Sequence, residues 1–193
     1  MKRWDIINKF ITERNYTSFL EIGTANGDTF RRVDIPDKIS VDPNQNTNAT
    51  YKVTSDEYFA IRKYHRNHKF DIIFIDGLHE HKQAWRDIEN SLKRLNQGGV
   101  IVLHDCHPTN KTMQEPYTNQ NFWTGDVWKA FVKARAELNY ACYVIDEDFG
   151  CGVIDTAYKA ERNKLELPTD MESMTYDDFV NHPEWMNFRK FDL

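Results

Sequence analysis

The chain lacks the features that mark secreted and membrane-spanning proteins. Its first ten residues, MKRWDIINKF, carry charges but no uninterrupted apolar stretch, which argues against a secretory signal. No apolar run approaches the length needed to cross a bilayer. Only three cysteines occur in 193 residues, and this odd number favours free thiols in a reducing compartment over a disulfide framework. We therefore expect a cytoplasmic protein without a membrane partner.

Basic residues are too few and too scattered to indicate a nucleic-acid partner. Lys and Arg number 25 against 30 Asp and Glu, and the formal net charge is −5. Binding to a phosphate backbone requires clustered Lys and Arg, and only residues 65–69 are locally basic. Neither an internal repeat nor a low-complexity tract is present. The length predicts a single domain over 1–193, with a core near 16–156 and a tail over 157–193.

Short apolar runs alternate with helical patterns along the chain. The predicted strands are 18–22, 38–41, 51–54, 70–75, 100–103, 142–145 and 152–154. The predicted helices are 3–14, 29–33, 55–65, 81–95, 126–138 and 176–188, the last interrupted at Pro183. This alternation predicts an α/β fold with a mostly parallel, seven-stranded sheet covered on both faces. The last two strands are separated by a short turn, which predicts an antiparallel hairpin at the sheet edge.

Two of the predicted strands end on an acid that has a histidine nearby. Asp76 follows the fourth strand in FDIIFIDGLHEH, and His79 comes three residues later. Asp105 follows the fifth strand in VIVLHDCHP, directly after His104. In open α/β sheets, ligands bind beyond the carboxyl ends of the strands, so these side chains should meet. Such a cluster can hold a divalent metal or move a proton.

A glycine turn, EIGTANG at positions 21–27, follows the first predicted strand. Gly23 and Gly27 would let the backbone approach a ligand closely, and Asp42, after the second strand, is placed to bind a ribose diol. The spacing is neither the dinucleotide fingerprint nor a P-loop. Without a ligand, the same glycines would simply make a tight turn between strand and helix.

Together these motifs resemble a class I S-adenosylmethionine-dependent methyltransferase over roughly residues 18–154. The resemblance implies a Rossmann-like three-layer sandwich and S-adenosylmethionine as cofactor. In that family the glycine turn holds the methionine part, the acid after strand two binds the ribose hydroxyls, and the segment after strand three lies near the adenine. The cofactor-binding positions implied here are Glu21, Gly23, Thr24, Gly27, Asp42, Ser55, Asp56 and Asp76.

The element Asp76-Gly77-Leu78-His79 also resembles the Asp-x-x-His of metal-dependent sugar O-methyltransferases that tailor macrolide antibiotics. There the Asp is a metal ligand and the His is the general base, which implies those catalytic roles for Asp76 and His79. Those enzymes carry two adjacent carboxylates after strand five, whereas this chain has His104 before Asp105. Asp105 fits one ligand of a Mg²⁺ or Mn²⁺ ion; His104 either replaces the second ligand or faces the core. An imidazole ligand would shift the preference toward Mn²⁺, Zn²⁺ or similar ions.

The expected acceptor is a hydroxyl of a glycan or another small molecule. An aliphatic hydroxyl has a high pKa, so a metal ion and a base would both assist the loss of its proton. Candidate substrate contacts are Trp123 as an aromatic wall, Asp126 as a hydrogen-bond acceptor, and His107 in the preceding loop. Asp126 equally suits the first turn of a helix, and His107 equally suits a loop-shaping role. Catechol-type methyltransferases also pair acids after strands four and five, so the acceptor need not be a sugar.

Two other functions stay open from the sequence: a metal hydrolase that uses the same Asp and His residues, and a catalytically idle cofactor-binding module. Nucleic-acid methylation is disfavoured, because the Asn/Asp-Pro-Pro-Tyr/Phe motif is replaced by Ile75-Asp76-Gly77-Leu78 and no Pro-Cys dipeptide occurs. The first helix and the tail are both candidates for a homodimer interface.

Overall fold

The computed structural model describes residues 1–61, 63, 68–115, 123–159 and 171–190, which build a sheet of seven strands with helices packed against it. The strands are β1 (Ser18–Ile22), β2 (Asp37–Val41), β3 (Phe70–Ile75), β4 (Leu95–Leu103), β5 (Ala141–Ile145), β6 (Cys151–Asp155) and β7 (Phe188–Arg189). The α-helices are α1 (Arg3–Arg14), α2 (Asp28–Arg32), α3 (Ser55–Ala60), α4 (His81–Arg94), α5 (Val127–Glu137) and α6 (Tyr176–Asn181). Short 3-10 helices cover Lys111–Gln114, Met171–Ser173 and Pro183–Trp185. None of the described helices is long and apolar enough to cross a bilayer.

The strand order is β2-β1-β3-β4-β6-β5-β7. β1 pairs in parallel with β2 and β3, and β3 pairs in parallel with β4. β6 runs antiparallel to both β4 and β5, which confirms the predicted hairpin. The carboxyl ends of β1 to β4 therefore lie at the same edge of the sheet, and the acids that follow these strands are brought together there.

Residues of β3 alternate between two hydrophobic cores. Ile73 and Ile75 pack in a core that includes residues of α4 and α5. Ile72 and Phe74 pack in a second core with residues of α1. Because successive strand residues point to opposite faces of a sheet, the alternation means that both faces are covered. The predicted three-layer α/β sandwich is confirmed.

The predicted strand over 51–54 is wrong. In this segment Tyr51 joins the sheet through an isolated bridge to Val41. Thr54 instead caps α3: its Oγ1 accepts a hydrogen bond from the main-chain N–H of Glu57 at 3.2 Å, and the Glu57 carboxylate accepts one from the N–H of Thr54 at 2.9 Å. This capping box starts α3 directly after the segment, and beyond the Tyr51 bridge the segment does not pair with the sheet as a strand.

The start of β4 also differs from the prediction. The strand was predicted over 100–103, but α4 ends at Arg94 and β4 begins at Leu95. The pairing of β3 with β4 shifts register between Phe70 and Ile72, which accommodates the early start. Propensity alone did not reveal this start, because the segment 95–99 is polar and rich in glycine.

The seventh strand comes from the C-terminal tail, where the sequence predicted a continuing helix. α6 ends at Asn181, before Pro183, and a 3-10 turn follows. The main-chain N–H of Val144 then donates to the carbonyl oxygen of Met186 at 3.1 Å, and Phe188 pairs beside β5. The open edge of β5 offers unpaired backbone groups, and the tail satisfies some of them.

Candidate active site

The carboxyl ends of β1 to β4 border a cavity of about 660 Å³. It contains both groups of residues that the sequence indicated, those for a cofactor and those for an acceptor. The predicted site residues in its lining are Gly23, Asp42, Ser55, Asp56, Asp76, His79, His104, Asp105 and Trp123. The predicted site residues outside its lining are Glu21, Thr24, Gly27, His107 and Asp126. The topology thus joins two halves in one cavity. The first half contains the residues predicted for a cofactor, and the second half contains the acids and histidines.

Gly23 permits the close approach of β1 and β3 at the floor of the cavity. Its φ is +86°, and a Cβ there would lie 2.0 Å from the main-chain oxygen of Asp76. The main-chain N–H of Asp76 donates to the carbonyl oxygen of Ile22 at 2.8 Å. The sequence assigned this glycine to close contact with a ligand, whereas the structure shows that the neighbouring strand already demands it.

Asp42 shapes the glycine turn through its carboxylate. One oxygen accepts hydrogen bonds from the main-chain N–H groups of Thr24 at 2.9 Å and Ala25 at 2.8 Å. The other oxygen accepts one from the N–H of Asn44 at 2.8 Å. Ala25 has a φ of +43°, a left-handed conformation that the sequence gave no reason to expect. Asp42 therefore holds the turn, and it also lines the cavity where a ribose diol was predicted.

Glu21 is buried behind this turn, at 1% exposure. Its Oε2 has no hydrogen-bond partner among the described residues. Burial, and then the charge of Asp76, raises the pKa of Glu21 to about 8. The side chain is therefore mostly protonated at neutral pH.

Gln83 links the residues at the predicted adenine end of the cavity. Its Nε2 lies 3.1 Å from Ser55 Oγ, 3.2 Å from Asp56 Oδ1 and 3.1 Å from Asp87 Oδ1, and the amide donates to these acceptors. Burial raises the pKa of Asp87 to about 6. Sequence reasoning did not select Gln83; its place in the first turn of the helix after Asp76 was the available clue.

Asp76, His79 and Asp105 form the polar centre of the other half. His79 Nε2 lies 3.4 Å from Asp76 Oδ1, and His79 Nδ1 lies 3.2 Å from Asp105 Oδ2. Each of the three residues offers one atom that could ligate a metal ion, and these atoms all lie within 4.8 Å of one another. Although burial opposes the charged ring, Asp76 and Asp105 raise the pKa of His79. The residues that the sequence placed at two separate strand ends are in direct contact.

His104 lies beneath this cluster, at 3% exposure. Its Nδ1 is 3.0 Å from Asp105 Oδ1 and 3.2 Å from Asp76 Oδ1. Burial disfavours the charged ring, but these two carboxylates raise the pKa of His104 well above its usual value. Burial would likewise raise the pKa of Asp76, yet His104, His79 and Arg3 together lower it well below its usual range. The ring therefore acts as a counter-charge that holds both acids.

Arg3 and Asp148 also belong to the site, although the sequence offered no motif for either. Arg3 lines the cavity, and its Nη1 donates to Asp76 Oδ2 at 2.7 Å. Its Nε and its main-chain N–H donate to Asp148 Oδ2 at 2.9 and 3.1 Å. His104 Nε2 faces the same Asp148 oxygen at 3.8 Å. The first residue of α1 and the β5–β6 turn thus meet behind the acid cluster.

Trp123 positions His79 from the opposite wall. The two rings stack with centroids 5.0 Å apart, and His79 Nδ1 lies 3.0 Å from the main-chain oxygen of Trp123. The indole Nε1 donates to the carbonyl oxygen of Glu115 at 2.7 Å. Gly125 allows the chain to pass here, because a Cβ at that position would lie 1.7 Å from the main-chain oxygen of His79. Trp123 is therefore both a cavity wall and a support for the histidine.

The two other predicted substrate contacts lie elsewhere. The Asp126 carboxylate accepts a hydrogen bond from the main-chain N–H of His81 at 2.7 Å and pairs with the Nδ1 of His81 at 2.6 Å. Asp126 therefore anchors the start of α4. His107 pairs with Asp146 at 2.5 Å and packs against the ring of Phe188. Neither side chain lines the cavity. Both are engaged by partners that only the folded chain supplies.

Several non-glycine residues at this edge hold left-handed backbone. The φ angles are +61° at Asp105, +51° at Asp148 and +64° at Phe149. Such conformations cost about 1 kcal/mol or more each and persist where the surroundings enforce them. Asp105 and Phe149 line the cavity, so the strain is concentrated around it.

The chain resembles known proteins in sequence and in fold. Residues 20–106 match the model of a protein family described as "Methyltransferase domain". No curated protein sequence matches the chain. The match spans β1 to the end of β4, which includes the glycine turn, Asp42, Asp76 and Asp105.

Solved structures with the same fold include one each from Bacillus cereus, Streptomyces achromogenes and Podospora anserina. An O-methyltransferase from Bacillus cereus in complex with SAH is 13% identical, covers 79% of this chain and 80% of its own, and has a TM-score of 0.60. The O-methyltransferase TomG from Streptomyces achromogenes, in complex with SAM, is 13% identical. The match covers 80% of this chain and 79% of TomG, with a TM-score of 0.61. The SAH-bound methyltransferase PaMTH1 from Podospora anserina is 13% identical, with 79% and 77% covered and a TM-score of 0.56. At these identities the likeness shows a shared fold.

Proposed function

We propose that this chain, whose residues 20–106 match a family model described as "Methyltransferase domain", is a class I S-adenosylmethionine-dependent methyltransferase that transfers a methyl group to a hydroxyl oxygen. The observation that carries the proposal is the cavity that joins the glycine turn and Asp42 to the cluster of Asp76, His79 and Asp105. Two of the structures that share the fold are described as O-methyltransferases, which supports an oxygen acceptor.

The residues of the first half fit S-adenosylmethionine. The turn at Gly23 and the acid at Asp42 would hold the methionine and ribose parts, and Ser55 and Asp56 would lie at the adenine. When bound, this cofactor supplies an electrophilic methyl group on sulfur. The chain's own contribution is to orient that group toward the second half of the cavity and to prepare the acceptor oxygen.

His79 is the proposed general base. Its Nδ1 faces two acceptors, Asp105 and the carbonyl oxygen of Trp123, and so carries the hydrogen. Nε2 is then the atom that takes the proton of the acceptor hydroxyl. Asp76 Oδ1, 3.4 Å from Nε2, stabilises the charged ring that results.

A divalent ion is the proposed second aid to proton loss. Carboxylate oxygens suit Mg²⁺ and Mn²⁺, and one oxygen each from Asp76 and Asp105 converges with His79 within 4.8 Å. We assign the two carboxylates to the ion and His79 to the proton, because Nε2 cannot serve both roles at once. His104 would be a third ligand only as a neutral ring, and its raised pKa favours hydrogen bonding instead. When bound, the ion would acidify a coordinated hydroxyl.

The proposed acceptor is a hydroxyl of a sugar, a glycan or a related small molecule. Trp123 offers an aromatic wall next to His79, and aromatic faces suit the apolar faces of sugar rings. The other two predicted contacts, His107 and Asp126, have partners elsewhere and do not line the cavity, so we leave them out of the proposed acceptor site.

Calorimetry with S-adenosylmethionine, in the presence of EDTA or of Mg²⁺, tests the cofactor and the metal separately. We expect cofactor binding in both conditions and tighter acceptor binding with Mg²⁺. Labelled methyl transfer to a panel of glycans and nucleotide sugars then tests the acceptor. A chain that binds no S-adenosylmethionine would rule out methyl transfer, and hydrolysis without such binding would support the metal hydrolase instead.

A further inference from the structure

We propose that Arg3 is a positioning residue of the acid cluster that competes with a divalent ion for Asp76 and thereby sets the affinity of the site for that ion. The inference deepens the metal-assisted form of the proposed function and rests on it. It makes the first turn of α1 part of the acceptor site.

The guanidinium of Arg3 engages the Asp76 carboxylate through Oδ2, whereas His79 faces Oδ1. Its Nη1 donates to Oδ2 of Asp76 at 2.7 Å, while Oδ1 of the same carboxylate faces His79 and His104 at 3.4 and 3.2 Å. The Arg3 side chain is 23% exposed and lines the cavity. Both oxygens of the candidate metal ligand therefore already have a partner in the protein.

Charge decides what this contact does to an ion. A guanidinium stays protonated at every physiological pH, so Arg3 places a permanent positive charge next to the carboxylate. A divalent ion that binds Asp76 Oδ2 must displace the guanidinium, which occupies that oxygen and repels the ion. Because the site is partly screened from water, that repulsion is stronger than it would be on an open surface.

Asp148 keeps Arg3 in this position. The Asp148 side chain is 1% exposed and accepts from both the Nε and the main-chain N–H of Arg3. It lies in a turn where Asp148, Phe149 and Gly150 all have positive φ, at +51°, +64° and +83°. Strained backbone of this kind persists where the surroundings enforce it. Here it places the Asp148 carboxylate where it holds the guanidinium of Arg3 next to Asp76.

Lys2 provides the matched control. It carries the same charge at the same end of α1, and its Nζ donates to Asp148 Oδ1 at 2.9 Å. Its side chain is 57% exposed, and it does not line the cavity. Loss of Lys2 therefore removes a nearby positive charge without freeing Asp76.

The test is the affinity of the full chain for Mn²⁺, measured by electron paramagnetic resonance on the wild type and on Arg3→Gln, Arg3→Lys and Lys2→Ala. We expect Arg3→Gln to tighten Mn²⁺ binding by about tenfold or more. We expect Arg3→Lys, which keeps the charge, and Lys2→Ala to stay within about threefold of the wild type. A merely structural role for Arg3 would weaken binding, so an unchanged or weaker affinity in Arg3→Gln overturns the inference.

A second measurement needs no variant and covers the case in which Arg3→Gln fails to fold. In the wild type, the guanidinium hydrogens of Arg3, followed by NMR, should exchange faster with water when Mg²⁺ is present, because the ion releases Nη1 from Asp76. Unchanged guanidinium exchange at saturating Mg²⁺ overturns the inference.

Calorimetry with S-adenosylmethionine on the same samples distinguishes a failure of the Arg3 inference from a failure of the proposed function. Methyl transfer to a hydroxyl with equal Mn²⁺ affinity in the wild type and Arg3→Gln would remove the role of Arg3 alone. A tenfold gain in Mn²⁺ affinity without any S-adenosylmethionine binding would remove the proposed function and keep the competition between Arg3 and the ion.

Discussion

The ring of His79 stacks on the ring of Trp123, and His79 Nδ1 lies 3.0 Å from the carbonyl oxygen of the same residue. These two contacts fix both the plane and the tautomer of the histidine. Trp123, shortly before α5, thus orients the proposed base His79, which follows β3. The proposed acceptor wall and the proposed base thus form one unit.

Replacement of His79 by alanine should lower turnover by about 10²- to 10⁴-fold, because it removes the proposed base. Affinity for S-adenosylmethionine should stay close to that of the wild type, since the cofactor residues lie in the other half of the cavity. Steady-state kinetics and calorimetry measure the two quantities. His81→Ala is the control, because His81 pairs with Asp126 outside the cavity. Wild-type turnover in the His79 variant would exclude it as the base.

Replacement of Asp105 by asparagine should weaken Mn²⁺ binding by about tenfold or more, because one charged oxygen ligand is lost. Asparagine is chosen because it tolerates the φ of +61° at this position better than alanine does. Asp146→Asn is a suitable comparison, since Asp146 pairs with His107 away from the cavity. Equal Mn²⁺ affinity in both variants would argue against Asp105 as a ligand.

Replacement of Gly23 by alanine should destabilise the fold far more than the same change at Gly98. Both glycines have positive φ, +86° and +77°, so both variants incur a backbone cost of about 1 kcal/mol. At Gly98 the new Cβ would meet only Ala157 Cβ at 3.9 Å, whereas at Gly23 it would lie 2.0 Å from the main-chain oxygen of Asp76. Urea unfolding of the two variants measures the difference. Equal losses in the free energy of unfolding would show that the ends of β1 and β3 can separate at low cost.

Replacement of Glu21 by glutamine should reduce the pH dependence of stability. The pKa of Glu21 is about 8 in the folded protein and near 4.5 in the unfolded chain, so between these values the folded state holds the extra proton. Stability therefore falls as pH rises from about 4.5 to 8, by at most about 1.4 kcal/mol per pH unit from this group. The variant should lose that slope.

Urea unfolding at pH 5, 6, 7 and 8 tests this effect. Glu89→Gln, at an exposed position of α4, serves as the control and should keep the slope of the wild type. Asp87, with a pKa of about 6, adds a slope of the same sign at lower pH in every variant, so the difference between variants isolates Glu21. A Glu21 variant with the full wild-type slope would contradict the prediction.

Local pattern determined much of this protein. The bounds of α1, β1 and β3 could be read from the spacing of apolar residues, because each segment has a clear helical or strand period. Asp42, Asp76 and Asp105 could be placed at one sheet edge, since the carboxyl ends of neighbouring parallel strands must meet there. The glycine turn and these acids then gave the family resemblance.

The tertiary structure decided what each of these side chains touches. Arg3 and Asp76 are 73 positions apart, and Arg3 and Asp148 are 145 positions apart. No local sequence pattern therefore predicts either contact. His107 and Asp126 stood in plausible substrate positions, yet partners brought by folding engage them elsewhere. A strand end can be predicted because backbone geometry places it; a side-chain partner depends on which distant segment packs there, and that is a property of the whole fold.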